Sequence, residues 1–80
     1  MSRVLLLDAD KAHDVFDLVE LTDVLARVRT AFLFEIGEEM RLRLEEDGKT
    51  SEALARVRAH VGSTDDKITE LELIERIDAR

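Results

Sequence analysis

The sequence predicts an all-β domain, a small antiparallel barrel, and three observations carry that prediction. Residues 39–45 alternate without a break: Met40, Leu42 and Leu44 fall on one side, Glu39, Arg41, Arg43 and Glu45 on the other. A strand puts all three aliphatics on one face, whereas a helix carries Leu42 away from Met40 and Leu44. The same register recurs over 55–61, where Ala55, Val57, Ala59 and Val61 alternate with Arg56, Arg58 and His60, and again over 69–73. The punctuation agrees. Asp47-Gly48 is a hairpin signal between two alternating runs, because glycine tolerates positive φ. Residues 62–66 (Gly-Ser-Thr-Asp-Asp) form a second polar turn. Turns at this spacing describe an antiparallel sheet or barrel.

The elements follow in order. Val4-Leu5-Leu6-Leu7 is a short apolar run that suits a strand buried on both faces. Residues 8–14, polar with Lys11 and His13, are expected as a loop. Residues 15–28 read two ways. Val15, Leu18, Val19, Thr22, Leu25 and Ala26 make a helical stripe that supports a helix over 14–29, while 17–21 and 26–30 alternate in part. Leu33, Ile36, Met40 and Leu44 make another helical stripe over 33–46, interrupted by Gly37 at a cost of about 1 kcal/mol. Ala, Glu, Lys, Leu and Arg make up more than half of the chain, a composition that favours helices. The alternative architecture is therefore a small α-helical assembly. Ala-Arg-Val-Arg occurs at 26–29 and again at 55–58, a weak internal echo.

Composition narrows the function classes. With 80 residues and no linker or low-complexity stretch, residues 1–80 are expected to form a single domain. A net charge of −7 argues against a general nucleic-acid or membrane binder. No apolar run is long enough for a transmembrane helix, residues 1–8 are too short for a signal peptide, and a cytoplasmic location is expected. The chain has no cysteine, which excludes disulfides and thiolate metal sites. The serines Ser2, Ser51 and Ser63 lack a nucleophile setting, and three glycines form no phosphate-cradling loop. Neither an enzyme nor a cofactor is expected.

From Leu21-Thr22-Asp23 through Ala26-Arg27-Val28-Arg29-Thr30, the run 34–44 with Gly37, the Asp47-Gly48 turn, Ala55-Arg56-Val57-Arg58 and Thr69-Glu70-Leu71-Glu72-Leu73-Ile74, the chain resembles the PilZ family over roughly residues 3–78. That resemblance implies a six-stranded antiparallel barrel. It also implies a bacterial signalling module, since the family is best known for binding cyclic di-GMP. The family grips the dinucleotide with Arg-x-x-x-Arg before the first strand and Asp/Asn-x-Ser-x-x-Gly after the second. Asp23 matches the acidic position, but Leu25 stands at the Ser position and Val28 at the Gly position, and only Arg3 is available on the arginine side. The resemblance thus implies a degenerate, non-enzymatic adaptor that works by protein–protein contact with weak or no cyclic di-GMP binding. A cyclic di-GMP effector and a helical self-assembling protein are the alternatives. Any surviving ligand site would use Arg3, Asp23, Arg27 and Arg29, the arginines on phosphate and Asp23 orienting them.

Two other groupings have a functional and a structural reading. The pairs Arg27/Arg29, Arg41/Arg43 and Arg56/Arg58 could line one surface for an anionic ligand. They could equally pair across strands with Glu38, Glu45, Glu70 and Glu72. Phe32, Leu33, Phe34 and Ile36 are too dense a cluster for one sheet face to bury, and with 5–7 they point to a protein partner or a homo-oligomer. His60 is expected on the polar side of its run. Asp8, Asp10, His13 and Asp14 lack calcium-loop spacing and read as a solvated acidic loop, with no metal.

Overall fold

The chain forms strands wherever charge and aliphatic residues alternate, and also where the helical stripes lay. The computed structural model describes residues 1–63 and 65–78. Its strands are β1 (Ser2–Asp8), β2 (Lys11–His13), β3 (Asp17–Leu21), β4 (Leu25–Arg29), β5 (Glu39–Glu46), β6 (Lys49–Ser63) and β7 (Asp66–Asp78). All pair antiparallel in one sheet of order β2-β1-β5-β6-β7-β4-β3. The all-β class holds, and no helix occurs among the described residues, so the helical readings of 14–29 and 33–46 are corrected. Within 15–28 the stripe is broken by a hairpin turn. Thr22 N–H donates to Leu25 O at 2.8 Å, and Thr22 Oγ1 accepts from the Val24 and Leu25 amides at 3.3 and 3.0 Å. A threonine that binds the backbone locally in this way diverts it from helix.

The barrel expectation is corrected too. Among the described residues there are seven strands rather than six, and the sheet does not close by hydrogen bonds. Residues 11–21 explain why: their start pairs with β1 and their end with β4, so this stretch crosses the gap rather than filling it. The sheet curls until β1 and β3 lie near each other, and Arg3 reaches Asp14 at 3.2 Å. The expected loop 8–14 is in fact a hairpin around Ala9 and Asp10, with β2 as its second strand.

Inside the curl, large side chains face small ones across the ladders. Leu42 opposes Ala53 and Met40 opposes Ala55 between β5 and β6, and Leu44 opposes Val4 on β1. Both copies of Ala-Arg-Val-Arg lie on strands that flank β7. Leu71 lies between Val57 of β6 and Ala26 of β4, and all three are essentially inaccessible. Glu72 and Glu70 meet Arg56 and Arg27 on the opposite face. Phe16 and Phe34 complete the core at one end. At the other end Arg76 reaches Glu46 at 2.8 Å and Asp23 at 3.6 Å. The first of these bonds spans β6, since Glu46 belongs to β5 and Arg76 to β7.

Bulges modify the alternation. The β6–β7 register shifts between Val57 and Ala59, so Ala59 opposes Glu70 and His60 opposes Thr69. One extra residue flips the faces beyond it. His60 therefore shares the face of buried Thr69 while staying exposed itself, and Val61, 38% exposed, turns outward; the alternation expected over 55–61 does not hold beyond Val57. The turn at 62–66 is also shorter than expected, because β6 runs through Ser63 and β7 begins at Asp66; Thr64 lies outside the described residues. Among the described residues no helix is long and apolar enough to cross a membrane.

Candidate functional site

Residues 30–38 leave the sheet between β4 and β5 and carry most of the predicted interaction cluster. Two features order this stretch. Gly37, at φ 93°, lets the chain turn so that its amide donates to Val57 O, while Val57 N–H donates to Glu38 O, both at 2.8 Å. Glu38 also closes the turn from both ends: its amide donates to Glu35 O at 3.0 Å, and its Oε1 accepts from the Glu35 amide at 3.1 Å.

His60 fixes the middle. Phe34 O is 2.7 Å from Nε2, which must donate, since a carbonyl only accepts. In the neutral ring Nδ1 then accepts from Thr69 Oγ1 at 3.3 Å. Thr69 is buried, so this bond satisfies a hydroxyl that would otherwise cost stability. Only the bulge at 57–59 brings His60 here, and neither glycine nor proline marks that bulge in the sequence.

The phenylalanines form a graded series. Phe16 is buried, Phe34 half-buried and Phe32 56% exposed; ring centroids are 5.9 Å apart for 16–34 and 6.2 Å for 32–34, both pairs tilted. Leu33 and Ile36 stand 82% and 67% exposed. Of the four predicted interaction residues, Phe34 is thus the anchor, and Phe32, Leu33 and Ile36 face solvent. Isolated exposed apolar residues are ordinary, but three within five positions of one pinned loop concentrate apolar surface, with Phe32 lining one groove and Leu33 another.

A groove of about 440 Å³ opens at Phe32, between the β1–β2 hairpin and the loop. Leu6, Leu7, Val15, Phe32, Phe34 and Met40 form its apolar wall, and Asp8, His13, Glu38 and Glu39 ring it. A second groove, of about 530 Å³, is lined by Asp14, Phe16, Asp17, Arg29, Asp66 and Lys67 among others, and carries both charge signs. Neither groove was legible in the sequence.

The four residues expected to bind a ligand are dispersed. Arg3, on β1, bonds Asp14 and lies 3.7 Å from Glu45. Asp23 stands fully exposed in the β3–β4 turn, beside Arg76. Arg27 and Arg29 share the outer face of β4. Arg27 bonds Glu20 at 2.6 Å and Glu70 at 2.9 Å, and Arg29 grips Asp66 with two bonds of 2.6 and 3.2 Å. Arg27 and Arg29 come together; Arg3 and Asp23 do not join them.

The wider arginine face is largely matched by carboxylates: Arg56 bonds Glu39 at 2.8 Å, and Arg41 lies 3.7 Å from Glu52. Arg43 and Arg58 make no ion pair among the described residues. Of the four partners expected from sequence, Glu70 pairs with an arginine of the repeated unit and Glu45 lies near Arg3 instead. Hydrogen bonding to Glu70, then the charge of Glu20, raises the pKa of Arg27. Hydrogen bonding to Asp66 likewise raises that of Arg29, and to Glu39 that of Arg56. Among the described residues no cluster of three or more His, Asp or Glu is arranged to hold a metal ion.

The Arg29–Asp66 pair has a pH signature. Hydrogen bonding from Arg29 holds the Asp66 carboxyl below its ordinary value of 3.8, against a smaller opposing effect of desolvation. A carboxylate with a depressed folded-state pKa stabilises the fold above its unfolded pKa, and the contribution vanishes as pH falls through the folded value. Wild type is therefore expected to melt higher than Asp66→Asn at pH 7. The gap should begin to close near pH 4 and vanish below it. Thermal melts from pH 7 to pH 2 check this, and a gap that persists at pH 2 contradicts it.

No family model matches this chain, and neither a curated protein nor a solved structure matches it.

Proposed function

We propose that this domain is a non-enzymatic docking module that contacts another protein through Phe32, Leu33 and Ile36. The single observation that carries this reading is their exposure on a loop pinned by Phe34, His60 and the Gly37–Val57 bonds. A pre-ordered loop loses little conformational entropy on binding, so more of the apolar burial becomes affinity. The arginines support the reading from the other side. Arg27 and Arg29 already hold carboxylates, and a dinucleotide phosphate would have to displace them. The resemblance to PilZ domains supports a role as a cytoplasmic adaptor in bacterial signalling, with weak or no cyclic di-GMP binding.

The test has two arms. A photo-reactive residue at position 33 is expected to give discrete protein adducts in cells that express the chain, and the same residue at position 47, in the distant β5–β6 turn, none. Equal adducts at both positions, or none at 33, overturn the docking surface. Calorimetric titration with cyclic di-GMP is expected to give no binding at micromolar concentrations. Tight binding abolished by Arg29→Ala would replace this reading with a nucleotide effector.

A further inference from the structure

The groove beside the docking loop joins an apolar floor to a rim of three carboxylates and one histidine. Leu6, Phe34 and Met40 form the floor, and Phe32 stands at its edge. On the rim, Glu39 is already neutralised by Arg56 at 2.8 Å. Asp8 and Glu38 make no ion pair among the described residues. Lys11 is the register partner of Asp8 but does not line the groove, and His13 is the only basic residue that does.

We propose that this groove receives a segment of another protein in which an apolar side chain is flanked by lysine or arginine; the proposal rests on the docking reading above. Charge complementarity selects this occupant. Burial of an apolar side chain on the floor excludes water from the rim, where Asp8 and Glu38 then favour a cation and penalise a carboxylate. A second copy of this chain carries a net charge of −7 and would bring like charge to the contact. Nucleic acid is disfavoured by the same sign. The volume, about 440 Å³, lies in the range that accepts a few side chains or a small ligand. A polypeptide also has a backbone site nearby, because β2 ends the sheet and among the described residues no strand pairs with its outer edge. An extended segment can add to such an edge while its side chains enter the groove.

Amide chemical-shift titration of the full chain tests this with three synthetic peptides: alternating lysine and leucine, alternating glutamate and leucine, and alternating lysine and serine. The lysine–leucine peptide is expected to shift amides around Asp8, His13 and residues 32–39, at least tenfold more tightly than either other peptide. Glu38→Gln keeps the acceptor for the Glu35 amide and removes only the charge. It and Asp8→Asn are each expected to weaken that peptide by about two- to fivefold, the scale of one exposed ion pair. The double variant Asp8→Lys with Glu38→Lys is expected to prefer the glutamate–leucine peptide.

Equal binding of the lysine and glutamate peptides overturns the basic partner. So does the absence of shifts, or shifts confined to other faces. If adducts at position 33 persist in those cases, the docking surface stands and only the partner chemistry is lost. If they too are absent, both readings fail.

Discussion

Replacement of Leu42 by alanine is expected to cost about 2–5 kcal/mol, enough to unfold much of the population at 25 °C. Leu42 is fully buried at the centre of the curl, flanked by Leu6 on β1 and Ala53 on β6. The loss combines the transfer free energy of the removed carbons with the cavity they leave. A domain of this size commands only about 3–5 kcal/mol from its core, and each 1 kcal/mol moves the melting temperature by roughly 4–8 °C. The register adds a sharper test. Ala53 lies directly across from Leu42, so Ala53→Leu alone overpacks the site at about 1–3 kcal/mol. The double variant L42A/A53L returns the volume to the same layer, and is expected to be more stable than the sum of the single losses predicts. Denaturant melts of the four proteins measure this coupling, and strict additivity contradicts the pairing of large and small side chains.

Gly62→Ala is expected to cost about 1–3 kcal/mol, clearly more than Gly48→Ala. Both glycines sit at positive φ, 94° and 83°. Space around Gly48 is open, so alanine there bears only the left-handed penalty. At Gly62 an added Cβ collides with the backbone carbonyl oxygen of Asp66. A carbonyl in a hairpin ladder has no rotamer to escape into, so the β6–β7 pairing must shift. Because Asp66 is the partner of Arg29, the shift should propagate to β4. Hydrogen exchange is expected to lose protection in residues 61–63 and 66–68 before the rest of the sheet. Equal losses for the two glycine variants would show that the close approach at Gly62 is relieved without cost.

The two variants probe the parts of the fold that were differently legible. The runs 39–45 and 69–73 predicted their strands and inward faces correctly, because a two-residue period is a local property that needs no knowledge of partners. The turn at Asp47-Gly48 was equally local; both residues adopt the positive φ that such a hairpin requires. Residues 15–28 were not legible. Their aliphatics satisfy two periods at once, and only pairing of β4 with β7 and of β3 with β4 decides between them. The faces beyond Val57 were misplaced because a bulge at 57–59 reverses them, and that bulge arises from fitting β6 against β7 rather than from any residue preference.

The candidate site divides in the same way. The density of Phe32, Leu33, Phe34 and Ile36 was enough to announce surplus apolar surface, since a single strand face has room for only alternate residues. Which of them is the anchor followed from the position of Phe16 and from the bond to His60, neither of which is near in sequence. The acidic rim joins Asp8 to Glu38, brought together by the pairing of β1 with β5. Arginine spacing likewise announced a charged face, and the ladder then supplied Glu20, Glu39, Glu52, Glu70 and Asp66 to occupy most of it. By itself, then, the sequence determined the all-β class, the principal inward faces, the hairpin at Asp47-Gly48 and an excess of apolar residues over 32–36, because each depends on neighbours along the chain. Only the tertiary structure decided the seven-strand order, the open seam, the bulges and the groove with its acidic rim, because each depends on which distant strands share a ladder.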